Sequence, residues 1–472
     1  MKKLICVLIV FMSVNISAQK LVSDNPLLND AFKLATQTVE INIRRGILAA
    51  GGDYGGEWTR DIAINSWNAA SLLIPKVAEK SLWSVTIHQD TIGHQYWDKI
   101  IWAIAAYHHY LVNGDKMFLA KAYTCSANTM KQLEQSTFDA KYGLFMGGSV
   151  FNDGIAAYPE PIYEPGNFSG SVLDHKNSFK MKCLSTNCVY RGAYLALAQM
   201  SRILKMDKEV SVSYQKKADN IKSNILKYLY NSDTNTFSYL IDQNGKAHQY
   251  QEGLGISFAV IFGVVEGGKA NQLISNAVVS KFGITSITPD FPRYSKDMPG
   301  RHNNLIWPMV NGFYAKAAIV SGSYPSFTHE LFGLTHLALD ADKGDYDFRE
   351  IYNPITGKPD GGYQAWGAEH PNYHWESCKL QTWSATAYIS MVLNGLFGMK
   401  FNQNSISFAP FLPNDINWVE LNDLAYRNST LNISVKGNGH TIASFKLDGR
   451  SQTKSTIAST LKGKHTITIV VQ

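Results

Sequence analysis

The sequence has few cysteines, little net charge and no long apolar stretch beyond its first residues. Five cysteines in 472 residues exclude a small scaffold held together by disulfides. A net charge of +6 gives no sign of the basic patch that nucleic-acid-binding proteins carry. No later stretch approaches the ~18 uninterrupted apolar residues of a membrane-spanning helix. What remains, 45% hydrophobic and 12% aromatic residues, is the composition of a folded globular protein with a surplus of aromatic side chains.

The first eighteen residues have the three parts of a secretory signal peptide. Two lysines precede an apolar stretch from Leu4 to Met12, and the segment ends on the small residues Ser17 and Ala18. The apolar stretch is too short to cross a membrane. We therefore expect removal of residues 1–18 and a periplasmic or secreted product without membrane insertion.

The cysteines of the mature chain give no defined site. An oxidising compartment permits disulfides among them, but their spacing does not distinguish the three possible complete pairings. The interval from Cys183 to Cys188 does not match a zinc-binding spacing, and no paired histidine motif accompanies it. The sequence therefore predicts neither a metal nor an organic cofactor. The four residues are Cys125, Cys183, Cys188 and Cys378.

Helical periodicity dominates from about residue 25 to residue 398. Apolar residues recur at steps of three and four over 190–204 and 214–229, and the two stretches predict an antiparallel helical hairpin joined across 205–209. Further segments with this character bring the total to roughly a dozen helices. They are 27–43, 61–74, 76–86, 97–113, 116–135, 253–263, 266–280, 306–321, 325–342 and 380–397.

The composition changes after residue 398. Apolar and polar residues alternate over 431–435 and again over 467–471, which predicts a small antiparallel β domain. The expected division of the chain is a signal peptide at 1–18, a helical domain at 19–398 and a β-sandwich-like domain at 399–472.

Two connections between helices are unusually long. Residues 136–186 and 343–379 are rich in glycine, proline, aspartate, asparagine and aromatics and have no helical period. Loops of that length inside a compact domain are usually functional. We therefore expect them to carry the chemistry.

A glycine-rich segment at residues 51–61 precedes a predicted helix and combines groups suited to a sugar. Arg60 offers donors beside the acceptor Asp61, which fits alternating hydroxyls, and Trp58 offers an apolar face to the ring. Asp61 could instead only cap the helix that follows.

The first long loop contains three candidates for a general acid: Glu160, Glu164 and Asp174. A carboxyl group enclosed by aromatic side chains loses solvation of its charged form, so its pKa rises toward the working range. Spacing does not choose among the three, and each could be an ordinary solvated carboxylate.

The second long loop contains the candidate general base. Glu350 lies between Phe348 and Tyr352 in a turn-rich segment that could frame a carboxylate holding one water. An ion pair with Arg349 or with another basic residue is the alternative role. Gln364 and Trp366, further along the same loop, are candidates for substrate contacts.

Taken in order, these motifs resemble the six-hairpin glycosidases, a superfamily that includes glucoamylases, trehalases, processing α-glucosidases, α-L-rhamnosidases and disaccharide phosphorylases. The resemblance spans about residues 25–470. It implies an all-α (α/α)6 toroid, or six-hairpin barrel, with a small C-terminal antiparallel β domain. It also implies an oligosaccharide or glycan as substrate, and we expect a monomer.

The resemblance also implies residue roles. A Trp-x-Arg-Asp-like segment that grips the terminal sugar falls on 58–61, and the general acid after the fifth helix falls on Asp174. Several branches use glutamate there, which keeps Glu164 as the alternative acid. The base between the last two helices falls on Glu350, in a segment similar to Glu-x-Tyr-x-Pro-x-Thr-Gly of the processing α-glucosidases. Trp307 and Trp383 lie in two further segments that look like family landmarks.

These roles together predict an exo-acting, inverting glycoside hydrolase, with an α-glucoside as the first sugar to test and α-mannoside and α-L-rhamnoside open. Asp174 would protonate the leaving oxygen while Glu350 activates water, across a gap of about 6.5–9.5 Å. One sugar would stack in a funnel formed by four tryptophans, although Trp383 could instead belong to the core. The four are Trp58, Trp307, Trp366 and Trp383.

Three other functions remain open at this point. A disaccharide phosphorylase would have a phosphate pocket in place of Glu350. A sugar epimerase or lyase of related architecture would act through His302, His370 or His374. A non-catalytic glycan-binding protein would tolerate loss of Glu350.

Overall fold

The computed structural model describes residues 19–93, 95–150, 155–167, 169–340, 346–367 and 369–472. The predicted signal peptide, residues 1–18, lies outside the described residues. Among the described residues, no helix combines the length and the apolar character that crossing a membrane would need.

Twelve helices in the described part of the chain form a double ring. The second helix continues without a break through Ser66–Ala70 and Ser71–Leu73, and the last through Met391–Leu396. The helices are α1 Pro26–Ile41, α2 Thr59–Asn65, α3 Pro75–Ser84, α4 Ile101–Asn113, α5 Lys116–Thr137, α6 Leu184–Ile203, α7 Lys208–Tyr228, α8 Gly253–Ile261, α9 Gly267–Ser275, α10 Pro308–Ser321, α11 Tyr324–Leu339 and α12 Thr382–Ser390.

The even-numbered helices form the inner ring. Each contacts the next even-numbered helix, and α12 contacts α2, so the ring closes. Every residue of α12 is buried, whereas α7 of the outer ring buries only a stripe that includes Ala218, Ile221 and Ile225. A helix that is apolar all round must be enclosed, while a one-sided helix can face solvent. The predicted (α/α)6 toroid is confirmed.

The inner helices all begin at the same end of the ring. Outer and inner helices alternate along the chain, so each outer helix carries the chain back and the inner helices run in one direction. The connections that lead into α6, α10 and α12 are the longest. These long loops therefore gather at the end where the inner helices begin.

Short antiparallel ribbons pair within and between the loops that connect the helices. They are Ile43–Arg44 with Ile47–Leu48, Thr86–Ile87 with Thr91–Ile92, Phe138–Asp139 with Leu144–Phe145, Tyr230–Asn231 with Thr236–Phe237, Gln251–Glu252 with Ile287–Thr288, and Leu240–Ile241 with both Lys182–Cys183 and Ala247–His248.

The C-terminal β structure consists of two sheets, as predicted for this part of the fold. One has the order β1-β4-β5-β9-β6-β7 and the other β2-β3-β8; all pairs are antiparallel except β5 with β9. The first strand comes from the start of the described chain, where Lys20 pairs with Asn422. The strands are β1 Lys20–Ser23, β2 Met399–Asn402, β3 Ser405–Phe408, β4 Trp418–Tyr426, β5 Ser429–Gly437, β6 Ile442–Leu447, β7 Arg450–Ser451, β8 Thr456–Ala458 and β9 Gly463–Val471.

The four cysteines of the described residues, Cys125, Cys183, Cys188 and Cys378, are buried free thiols. Burial raises the pKa of the Cys125 thiol to about 12, which keeps it protonated and unreactive. In the part of the chain that the structure describes, no group of three or more His, Cys, Asp or Glu side chains is placed to hold a metal ion.

Candidate active site

A cavity of about 150 Å³ lies where the inner helices begin. A cavity of about that volume takes up one six-membered ring, benzene being the measured case. Its wall combines three tryptophans with two carboxylates and two arginines. The lining residues are Ala50, Tyr54, Trp58, Arg60, Asp61, Arg301, His302, Trp307, Glu350 and Trp383.

The three tryptophans reach the cavity because of their positions at helix starts. Trp58 and Trp307 are the extended residues directly before α2 and α10, and Trp383 lies in the first turn of α12. The rings of Trp307 and Trp383 meet edge to face, with centroids 5.4 Å apart. Trp58 is 39% exposed, at the mouth. The cavity thus offers apolar ring faces on its inner wall and at its entrance.

Arg60 and Asp61 supply a donor and an acceptor in the same wall, and both are buried in the first turn of α2. The Arg60 Nε donates to Gln95 Oε1 at 2.8 Å, and its Nη1 lies 3.8 Å from Asp98 Oδ2. The residue at the N-terminal cap of α2 is Trp58, not Asp61. Asp61 therefore does not occupy the N-cap position; it lies in the first turn of α2 and lines the cavity.

Glu350 is buried in the cavity wall and receives hydrogen bonds from three side chains. The Tyr54 hydroxyl donates to both carboxylate oxygens, at 3.2 and 3.1 Å. The Arg301 Nη2 donates to Oε2 at 3.1 Å, and the His302 Nε2 donates to Oε1 at 3.0 Å. Arg349 does not take part, since its Nε pairs with Asp347 Oδ2 at 3.1 Å. The alternative role, an ion pair of Glu350 with Arg349 or another basic residue, is therefore met by Arg301 and His302 and not by Arg349.

These partners keep the Glu350 carboxylate charged. Burial opposes its ionisation, but the charges of Arg301 and His302 outweigh burial and hold the pKa of Glu350 at about 2. Burial, and then the charge of Glu350, raise the pKa of Tyr54 far above its ordinary value. Tyr54 therefore remains a hydrogen-bond donor to an ionised carboxylate throughout the physiological pH range.

Arg301→Gln should shift the acid limb of the pH profile to higher pH. The substitution removes a positive charge while Glu350 stays buried, so the pKa of Glu350 rises and the carboxylate protonates at higher pH. A neighbouring opposite charge is worth about 1–3 pH units. The measurement is kcat/KM between pH 3 and 8. Arg349→Gln is the matched control and should leave the limb in place; an unmoved limb in Arg301→Gln would contradict this account of Glu350.

Asp174 lies outside the residues that line this cavity. It ends a short 3-10 turn, Val172–Asp174, and its side chain is exposed. The Ser169 Oγ donates to its Oδ2 at 2.5 Å. The candidate acid is thus held on a surface loop by a hydroxyl group.

Glu164 has a partner that makes it a poor proton donor. Its Oε2 lies 2.8 Å from Nδ1 of the buried His175, and the His175 ring stacks on Tyr163 with centroids 3.4 Å apart. The hydrogen bond from His175 holds the pKa of Glu164 below its ordinary value. A carboxylate that stays ionised cannot donate a proton near neutral pH. Glu160, the third candidate, is exposed in a turn of the same loop.

The loop of Asp174 is tied to the cavity end of the ring at two points. The Ala156 N–H donates to the Arg301 carbonyl at 3.1 Å, next to His302. The Gln364 Nε2 donates to the Gly170 carbonyl at 3.0 Å. A Cβ added at Gly170 would lie 2.6 Å from the Ala365 carbonyl oxygen, so this approach requires glycine. The two long loops therefore meet beside the cavity.

The structure brings six predicted site residues into one cavity and leaves three outside its wall. Glu350 and five predicted substrate-binding residues line the cavity, while Asp174, Gln364 and Trp366 do not. Trp366 is 59% exposed, so the predicted funnel of four tryptophans is corrected to three. The five substrate-binding residues are Trp58, Arg60, Asp61, Trp307 and Trp383.

Two polar lining residues, Tyr54 and Arg301, are not among the site residues predicted from the sequence. Tyr54 had a usable signal, because it lies inside the glycine-rich segment 51–61 that was singled out. Arg301 directly precedes His302, a residue that the sequence indicates only as a candidate for an epimerase or lyase. Nothing in the local sequence indicated that all three would hold Glu350.

Residues 81–375 match the family described as mannosylglycerate hydrolase MGH1-like glycoside hydrolase domain. Residues 399–471 match the C-terminal domain of glycosyl hydrolase family 65. No curated protein matches the chain.

Solved structures with the same fold include three glycosidases. A sialidase has a TM-score of 0.67 at 16% identity; the match covers 93% of this chain but 41% of the sialidase, so the chain spans about two fifths of that protein. The GH63 mannosylglycerate hydrolase from Thermus thermophilus has a TM-score of 0.61 at 14% identity, covering 76% of this chain and 99% of that one.

A GH78 family rhamnosidase from a Bacillus species has a TM-score of 0.55 at 13% identity, covering 96% of this chain and 44% of that one. At these identities the likeness concerns the fold alone; together with the two family matches, it confirms the resemblance to six-hairpin glycosidases. The family match extends over most of the barrel and more than half of the chain, so the protein belongs to the MGH1-like glycoside hydrolase family and is a glycoside hydrolase.

Proposed function

We propose that the protein is an exo-acting, inverting glycoside hydrolase that releases one terminal sugar, with Glu350 as general base and Asp174 as general acid. The observation that carries the proposal is the ionised, buried Glu350 carboxylate in the wall of a cavity large enough for one ring. Arg60 and Asp61 would bind the hydroxyls of that ring, and the tryptophans would contact its faces.

The size of the cavity supports exo action. A volume of about 150 Å³ accommodates one sugar ring, and Trp58 at the mouth marks the side open to solvent. A chain passing through would need a cleft open at both ends. We therefore expect cleavage of the bond that follows the terminal residue.

The base role rests on orientation more than on intrinsic basicity. A carboxylate with a pKa of about 2 is a weak base at equilibrium. Three donors fix its direction, however, and the transition state of glycoside hydrolysis develops positive charge at the anomeric carbon. Attack on that carbon makes the water more acidic, so even a weak base can take its proton.

The acid role of Asp174 is proposed from its loop and from the hydrogen bond of His175 to Glu164, which favours the ionised form of Glu164. The loop meets the end of the ring where Glu350 lies, and its hydrogen bond to Gln364 joins it to the second long loop. Inverting enzymes place the two carboxyl groups about 6.5–9.5 Å apart, with water between base and sugar. Inversion of the anomeric centre requires a gap of this size between Asp174 and Glu350.

An α-glucoside is the first sugar to test. The segment around Glu350 resembles that of the processing α-glucosidases. The structurally similar mannosylglycerate hydrolase was solved in complex with glucose, which supports the same choice. An α-mannoside and an α-L-rhamnoside form the other arms of the test.

Proton NMR of the first product formed from aryl α-glucoside, α-mannoside and α-L-rhamnoside, and from the matching disaccharides, tests the proposal. We expect a single released sugar that appears first as the anomer opposite in configuration to the substrate. Initial appearance of the same anomer would overturn inversion. Release that depends on added phosphate would point to a phosphorylase, and an unsaturated product would point to a lyase.

A further inference from the structure

Three aromatic residues form a cluster on the second long loop, here called the aromatic rim: the exposed Trp366 and Tyr373 and the half-buried Trp375. The Trp366 ring centroid lies 5.1 Å from that of Tyr373 and 5.7 Å from that of Trp375. Trp366 is 59% exposed and Tyr373 is 37% exposed. Exposed clusters of large aromatic side chains usually mark a binding site.

The aromatic rim adjoins the proposed catalytic residues on two sides. The Arg301 guanidinium lies 5.2 Å from the Trp375 ring centroid, and the same guanidinium pairs with Glu350. The Trp375 Nε1 donates to the Gln364 carbonyl at 3.1 Å, and the Gln364 side chain donates to Gly170 in the loop of Asp174. The aromatic rim therefore lies between Arg301, which pairs with Glu350, and the loop that carries Asp174.

Backbone hydrogen bonds hold the aromatic rim in place. The Trp366 N–H donates to the His370 carbonyl at 3.0 Å, and the Trp375 N–H donates to the Gly362 carbonyl at 2.9 Å. The Gln364 N–H donates to the Tyr373 carbonyl at 3.0 Å. A surface held in this way loses little conformational entropy when a ligand stacks on it.

We propose that the aromatic rim binds the first sugar ring of the leaving group, which makes the substrate an oligosaccharide or glycan and not a sugar joined to a small non-sugar group. This inference rests on the proposed function. The general acid protonates the oxygen of the leaving group, so the leaving group must lie on the side of Asp174. The rim is on that side and outside the single-ring cavity, and its aromatic faces suit the apolar face of a pyranose.

Affinities measured by calorimetry on the Glu350→Gln variant, which prevents turnover, test the inference. The probes are glucose, mannose and their α-linked di- and trisaccharides. We expect the disaccharide of the preferred sugar to bind more tightly than the monosaccharide. Trp366→Ala, and separately Tyr373→Ala, should each remove most of that gain in affinity. For Trp366→Ala we expect the disaccharide to bind about ten-fold more weakly. Phe138→Ala replaces an exposed aromatic elsewhere on the protein and should leave the whole series unchanged.

The outcomes separate the two proposals. A gain from the second ring that persists in Trp366→Ala and Tyr373→Ala overturns the role of the rim, as does the absence of any gain in the parent variant. If the wild-type protein hydrolyses none of the probes while the gain depends on Trp366, the rim stands as a sugar-binding site and the proposed hydrolysis of these linkages fails. The same variants assayed for kcat/KM on the disaccharide provide the second measurement.

Discussion

Glu350→Gln is expected to lower kcat by about 10²–10⁴-fold, the contribution of a positioned general base. Gln keeps the shape of the side chain and can still accept from Tyr54, but it cannot take a proton from water. The carboxylate is also the counter-charge of Arg301, so we expect a lower Tm. The measurement is kcat at a temperature at which calorimetry shows both proteins folded.

Glu330→Gln provides a matched control for the loss of a buried carboxylate. Glu330 on α11 is buried and accepts hydrogen bonds from the Ile284 N–H at 3.1 Å and from Asn311 Nδ2 at 2.6 Å, outside the cavity lining. Its substitution should lower Tm with little change in kcat. Near-normal turnover by Glu350→Gln would remove Glu350 as the base, and an equal loss of kcat in both variants would indicate a general effect of destabilisation.

Asp174→Asn is expected to lower kcat/KM on oligosaccharides by about 10²–10⁴-fold, because the leaving oxygen then departs without a proton. The loss should be much smaller for the glycosyl fluoride of the same sugar, whose leaving group needs no protonation. This dependence on the leaving group distinguishes a general acid from a residue that only shapes the loop. The measurement is kcat/KM for both substrates in wild type and variant.

Glu164→Gln is the companion to that experiment. Glu164 belongs to the same loop and is held ionised by His175, so its substitution should cause a smaller loss that is similar for both substrates. The acid assignment is wrong if Glu164→Gln shows the large, leaving-group-dependent loss while Asp174→Asn stays near the wild-type rate.

Some residues of the site could be predicted from the sequence because their positions depend on neighbouring residues. Trp58, Arg60 and Asp61 stand together at the start of a helix, and that helix places all three in the cavity wall. Glu350 was identified from the aromatic and turn-forming residues around it. Predictions of this kind need only short-range information, so they do not depend on knowing the rest of the fold.

Other residues of the site could not be predicted because they contact residues that are far away in the chain. Tyr54 and Arg301 lie 296 and 49 residues from Glu350 and reach it only after the ring closes. The sequence predicts Trp366 in the funnel, but its ring lies at the surface. Backbone hydrogen bonds from Trp366 to His370 and from Trp375 to Gly362 fix the loop in this position. Composition indicated an aromatic loop but not the direction in which each ring points.

The sequence by itself determined about a dozen helices and the β strands that follow them, because apolar repeats of three and four residues, or of two, specify which face of each element is buried. The closing of the helices into a toroid was implied by the resemblance to the six-hairpin glycosidases. The sequence also determined the chemical groups that the two long loops offer. Only the tertiary structure decided that Arg301, His302 and Tyr54 hold the Glu350 carboxylate and that the rim faces solvent. Such contacts join loops that meet only when the six inner helices have packed into a closed ring. A local sequence pattern does not specify which of these loops come together.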